Sequence, residues 1–325
     1  MCKVMIIPRV PKGKSDLALK FIKASVKFMT ASDPHGIGYA AISDNKLSGE
    51  CWINPNDAFQ SKEITELDSK LHSLLGDSIS KTNSDYRSFG DVNLSSIQSI
   101  MLHSRYATCD KSIENTHPFH AENTALIHNG VISNASQLTN KTSTCDSEVI
   151  LNEYIAKNVR IYPKRIVDVI KALRGWYTVA VMTQIDDQWY IDVFKETQST
   201  LIAAYIKELD STVFCTSESI LKATAKACKF TLSHVHTIRS GLLIRIECRT
   251  GESILHVPFE SAPREFMTES TTAWDYLRTA NDNNTNTDND DNYMNDDEDL
   301  SDDESARIDL MMEEYYNRHT KRGSK

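Results

Sequence analysis

Between residues 3 and 258, apolar and polar positions come in short blocks, and the spacing inside each block predicts its element. Lys3 to Pro8 reads as a first strand. "SDLALKFIKASVKFM" sets Leu17, Phe21, Ser25 and Phe28 at helical spacing, with Ser15 as its N-cap. "GIGYAAI" from Gly36 reads as a strand, with "ECWI" as its partner, and residues 61–75 as a weak helix. "SIMLHSRYAT" and "TALIHNG" each run from apolar to polar, as when a buried strand delivers its last residues to a site. "DSEVILNEYIAKN" and "PKRIVDVIKAL" read as helices, the first with Val149, Ile150, Tyr154 and Ile155 on one side.

The remainder of this region favours strands. "WYTVAVMTQ" and "WYIDVF" flank an Asp-Asp turn and form a hairpin. "TVFCTSE" is a strand that runs into the helix "SESILKATAKA", capped by Ser217 or Ser219. "GLLIRIE" and "SILHVPF" make a last hairpin around Thr250 and Gly251. Strands and helices therefore cluster without strict alternation. That order predicts an α+β fold of antiparallel sheets carrying helices on their outer faces.

Beyond residue 258 the character changes. Residues 259–280 read as an extension with room for a short helix. From Asn281 to Glu304, sixteen residues are Asn or Asp, so the segment buries too little apolar surface to offset its ordering entropy and is expected to be a disordered acidic linker. Residues 305–325 regain a helical stripe of Ile308, Met311, Met312, Tyr315 and Tyr316, the pattern of an amphipathic docking helix. The domain expected to carry the chemistry is thus residues 2–258.

Charge sharpens this division. The formal net charge is −9, but the linker holds eleven acids and no bases. The rest has 34 acids against 36 bases, with no basic patch suited to nucleic acid, so direct nucleic-acid binding is not expected. Apolar runs are too short to span a membrane, and no signal pattern opens the chain, which predicts a cytoplasmic protein with no membrane partner. Seven cysteines without a CxxC pair do not suggest a disulfide scaffold. His103, His117, His120 and His128 with Cys109 fit no compact zinc set, so neither metal nor other cofactor is expected.

The candidate chemistry lies at the ends of the apolar runs: "HSRYAT" (103–108), "NTHP" (115–118), "HNGVISN" (128–134) and "CDSEVI" (145–150). Cys2 adds to them a thiol that, once Met1 is removed, shares its residue with a free amine, a nucleophile with its own base. Together these segments resemble the glutaminase domain of the class II glutamine amidotransferases, a group of N-terminal-nucleophile (Ntn) hydrolases. In that family a strand-end H-[ST]-R-[WY]-A-T segment precedes N-x-H-P, H-N-G-x-I-x-N and [ST]-D-[ST]-E-x-[IL] in this order. "TVFCTSESILKA" and "IRSGLLIRI" also resemble the family's closing segments, so the likeness covers roughly residues 2–250.

The resemblance implies a four-layer αββα sandwich with L-glutamine as substrate. It implies that Cys2 is the nucleophile and that the Asn129 side-chain amide and Gly130 backbone N–H form the oxyanion hole. Arg105 would pair with the substrate α-carboxylate as a planar fork, Asp146 would hold the α-ammonium, and Thr108 would line the same pocket. Asp146 also stands where its helix needs an N-cap, and His128 reads as a packed strand residue. Two positions depart from the family: Lys3 where glycine is usual, and Cys109-Asp110 after "HSRYAT", which bears on the loop that closes over glutamine.

Class II enzymes usually carry a second domain that consumes the ammonia, whereas residues 259–325 show no nucleotide-binding glycine motif. The expectation is a glutaminase subunit serving a separate acceptor synthase or ligase, with nucleobase or sugar amidation as the acceptor chemistry. The alternative is a non-catalytic binding or structural protein that retains the Ntn fold.

Overall fold

A computed structural model describes residues 2–53, 82–83, 86–90, 93, 96–107, 111–138, 143–197 and 199–260. The weak helix at 61–75, the acidic linker and the terminal helix all lie outside the described residues, as does Thr108. No described helix is long and apolar enough to cross a membrane.

Two antiparallel sheets form the middle of the molecule. The first is built from β1 (Lys3–Ile7), β2 (Ile37–Ser43), β3 (Lys46–Trp52), β4 (Thr82–Asn83), β5 (Tyr86–Phe89), β6 (Ile97–Ser104), β11 (Ile202–Ile206), β12 (Ser211–Cys215) and β13 (Leu232–Thr237). Its order is β13-β11-β12-β1-β6-β2-β3-β5-β4, so the first strand is central. The second sheet contains β7 (Phe119–Ala121), β8 (Thr124–Ile132), β9 (Gly175–Ile185), β10 (Gln188–Lys195), β14 (Leu242–Glu247) and β15 (Ser253–Pro258), in the order β15-β14-β10-β9-β8-β7.

Strand periodicity decides how these sheets stack. Val4, Ile6, Met101 and Ala40 from the first sheet meet Ala125, Ile127, Ala180, Met182, Ile191 and Val193 from the second in one apolar layer. The alternate residues face outward. Met5, Ile7, Ile100 and Leu102 pack under α1 (Ser15–Ser32) and α4 (Glu218–Cys228), while Leu126, Val179, Val181 and Phe194 pack under α2 (Ser147–Ala156) and α3 (Ile166–Ala172). The result is the expected αββα sandwich. Each fully buried Phe or Leu of these layers contributes roughly 1.5–3 kcal/mol of transfer free energy.

Local signals held with two adjustments. The Asp186-Asp187 turn between β9 and β10 uses positive φ at both residues, +47° and +61°, the backbone of a two-residue hairpin loop. Ser217 caps α4 by accepting from the Ile220 N–H at 3.4 Å. Ser15, by contrast, is the first residue of α1; the cap position is Lys14, which makes no side-chain cap bond. Asp146 precedes α2 but makes no side-chain cap bond either, because its carboxylate is engaged elsewhere.

Candidate active site

Cys2 enters the site because β1 is central and its face alternates. Val4 and Ile6 point between the sheets, so the half-buried Cys2, two residues earlier, lies on the same side at the open end. The β6 strand runs alongside, with Val4 opposite His103, and continues past Ser104 into Arg105, Tyr106 and Ala107. There the Tyr106 N–H donates to Cys2 Sγ at 3.3 Å. The Arg105 side chain is buried, at 3% exposure, beside this contact.

Burial pushes the Cys2 thiol up to about 12, and the Asp33 carboxylate adds to the rise; the Tyr106 amide, the chain's amino terminus and Arg105 act in the opposite direction. Asp33 is itself buried and accepts from Ser104 Oγ at 3.3 Å. A thiol held that high is nearly all protonated at neutral pH. It becomes a nucleophile only if a base takes its proton in the reacting complex.

The second sheet supplies the facing wall. His103 reaches across the gap, and its Nε2–H donates to the His128 carbonyl at 3.0 Å, tying the first sheet to β8 one residue before Asn129. Asn129 follows Ala125 and Ile127 on the inter-sheet face; it is buried, and its Oδ1 has no hydrogen-bond partner among the described residues. Gly130 has φ +149°, and an added Cβ would lie 2.1 Å from the Trp176 carbonyl oxygen. Only glycine fits there, and it keeps the backbone close to its neighbour across the sheet. Two residues on, the Ile132 N–H donates to Asp146 Oδ2 at 2.6 Å, which docks the start of α2 against this strand end.

His128 is the packed strand residue that its pattern suggests, with Nδ1 2.8 Å from Ser147 Oγ. The His103 and His117 rings lie with centroids 4.0 Å apart, tilted by 36°. Burial lowers the pKa of His103 to about 3, that of His117 well below its usual value and that of His128 below its usual value. All three imidazoles are therefore neutral at pH 7. No group of three metal-ligating side chains occurs among the described residues.

A continuous run of contacts thus links Cys2, the Arg105 arm, His103, the Asn129-Gly130 strand end and Asp146. Ser104 lies inside the "HSRYAT" segment, but Asp33 and His35 were not singled out from the sequence. The signal for them was present in "SDPHG": Pro34 stops α1, and the chain turns back into β2 beside β6.

No family model matches the chain, and no curated protein matches it. Solved structures do. Glutamine phosphoribosylpyrophosphate amidotransferase from B. subtilis superposes with a TM-score of 0.55 at 18% identity, covering 81% of this chain and 50% of its own. The allosteric regulatory enzyme of purine biosynthesis gives 0.53 at 16% identity, with the same shares of 81% and 50%. This chain has the Ntn-hydrolase fold of the class II glutamine amidotransferases. At these identities the likeness concerns the fold. The chain matches about half the length of either structure (50%). A glutamine amidotransferase class-II domain protein from Silicibacter pomeroyi superposes more loosely, at 0.46 and 12% identity over 81% of this chain and 100% of its own.

Proposed function

We propose that this chain hydrolyses the side-chain amide of L-glutamine, with Cys2 as an N-terminal nucleophile freed by removal of Met1. The observation that carries this reading is the half-buried Cys2 thiol, hydrogen-bonded by the Tyr106 N–H next to a buried arginine at the open end of an Ntn sandwich. The α-amine of the mature Cys2 takes the thiol proton as Sγ attacks the amide carbonyl. The tetrahedral oxyanion is held by the Asn129 amide and the Gly130 N–H. Collapse breaks the C–N bond, the amine returns the proton to the leaving group, and ammonia departs from a glutamyl thioester. Water then attacks the thioester, giving glutamate and restoring the thiol. Arg105 binds the substrate α-carboxylate; Asp146 and Thr108 complete recognition of the head group.

In this reading the ammonia serves a separate acceptor enzyme that amidates a nucleobase or sugar, and the site needs no metal. Intact mass of the purified protein should lack one methionine, glutamine should yield glutamate and ammonia in equal amounts, and a glutamine-like electrophile should label Cys2 alone. Full activity in chains that retain Met1 would rule the mechanism out, because the base would then be an amide nitrogen.

A further inference from the structure

The Arg105–Ala107 arm is held by more than its strand. Arg105 N–H donates to the Gly36 carbonyl at 2.8 Å, and the Arg105 carbonyl accepts from the His35 N–H at 3.0 Å. Two successive residues therefore oppose one, as at a β-bulge, and the ladder ends there because Pro34 and the C-terminus of α1 follow immediately. Tyr106 N–H donates to Cys2 Sγ, and the donor after it, Ala107 N–H, meets no strand carbonyl. It donates instead to Nδ1 of His35 at 3.0 Å. The imidazole takes the place of a missing backbone acceptor, and its ring lies 5.0 Å from that of Tyr106, tilted by 46°.

We propose that His35 is a positioning residue for glutamine binding: its neutral imidazole fixes the arm that aims Arg105 and sets the Tyr106 N–H against Cys2. This rests on the glutaminase reading above. Only a neutral ring with its proton on Nε2 can accept at Nδ1; a protonated ring presents N–H to N–H and the bond is lost. The surroundings favour the neutral form. Burial lowers the His35 pKa, and the positive charges of Lys111, Arg105 and the chain's amino terminus lower it further. The neighbouring carboxylate, Asp33, accepts a hydrogen bond from Ser104, and the Tyr106 ring packs against the imidazole. Acidification through the His35 pKa, below 6.5, should therefore release the arm and weaken glutamine binding, leaving the chemical step of bound substrate comparatively unaffected.

The test compares the wild-type chain with His35→Asn and His35→Ala, measuring kcat and KM for glutamine from pH 5 to 8 together with the NMR titration of His35. Asparagine keeps a short acceptor near Nδ1 and does not titrate. At pH 7.5, H35A should raise KM about tenfold, the scale of one lost hydrogen bond, with kcat changed less than about threefold. H35N should stay near wild type, and its KM should remain flat on acidification, whereas the wild-type KM rises with the pKa that NMR assigns to His35. An unchanged KM in H35A, or an acid limb that persists in H35N, overturns the proposal. Should H35A fail to fold, the H35N profile still decides. If the wild-type chain turns over no glutamine at any pH, the glutaminase reading fails on its own. The hold on the arm is then judged by hydrogen exchange of the Ala107 amide: protected in wild type and H35N but not in H35A supports it, and equal exchange in all three overturns it.

Discussion

Strand β8 and its neighbours carry two sets of buried polar groups, and the two are wired differently. On the outer face of the second sheet, Asp192 receives Arg245 Nε and Nη2 at 2.7 Å each and the Tyr154 hydroxyl at 2.5 Å. Arg245 Nη2 also reaches the Val159 carbonyl at 3.2 Å. Burial pulls the guanidinium pKa down, but the bonds to Asp192 outweigh it and the net shift is upward. This set is closed: its members satisfy one another and clamp α2 to the sheet. At the strand ends near Cys2, burial is as deep but the bonding is open. His103 Nδ1, both ring nitrogens of His117, His128 Nε2 and Asn129 Oδ1 lack hydrogen-bond partners among the described residues. A closed buried network belongs to architecture, whereas polar atoms kept buried and uncommitted usually have another task. The comparison predicts that changes at the open set cost turnover and changes at the closed set cost stability.

The sharpest test is the proposed nucleophile. Cys2→Ala should lower glutamine turnover by at least about three orders of magnitude while leaving the unfolding midpoint near wild type. Urea titrations run beside the glutaminase assay give both numbers, and a marked fall in stability would erase the distinction between the two regions. Next comes the closed set. Arg245→Met strands a buried carboxylate with Tyr154 as its main donor and should cost about 3–5 kcal/mol of unfolding free energy. The surviving folded fraction should hydrolyse glutamine at nearly the wild-type kcat, because Arg245 faces α2 and not the inter-sheet gap. Asn129→Ala comes third: kcat should fall about 10²–10³-fold, equivalent to roughly 3–4 kcal/mol, with KM little changed. A large rise in KM with kcat intact would move Asn129 from the oxyanion hole to substrate recognition.

How much of this was legible beforehand depends on range along the chain. The sheets, their outer helices and the strand-end motifs follow from local periodicity, since a strand of period two that turns polar at its end must present those residues at an edge. The strand-end segments could be located for that reason, whereas the roles expected of Cys2, Arg105, Asn129, Gly130 and Asp146 came from the resemblance of their motifs to the amidotransferase family. The register that places Val4 opposite His103, and so carries His103 across to the His128 carbonyl, joins segments a hundred residues apart and has no local signature. The same holds for Tyr154, Asp192 and Arg245, which come from a helix and two strands. Asp146 shows the limit from the other direction: its position before α2 suggests a cap, and tertiary packing gives its carboxylate to Ile132 instead.

The smallest expected effect comes from pH, and its sign separates the two regions again. The folded-state pKa of His103 is lowered to about 3, while an unfolded chain titrates it near the ordinary 6.5. Above that value both states are neutral and the stability is fully present. As pH falls below it, the unfolded state binds a proton that the folded state refuses, so stability is lost progressively down to the folded pKa. Between pH 7.5 and 6.0 His103 alone should remove on the order of 1 kcal/mol, and His117 and His128, also lowered by burial, should add in the same direction. The guanidinium of Arg245, raised and charged throughout, contributes nothing in this window. Urea unfolding at several pH values should therefore show proton uptake on unfolding that persists in Arg245→Met and shrinks in His103→Asn. An identical pH slope in His103→Asn would mean that the buried imidazoles are solvated or paired in solution, and the open set would lose its distinguishing feature.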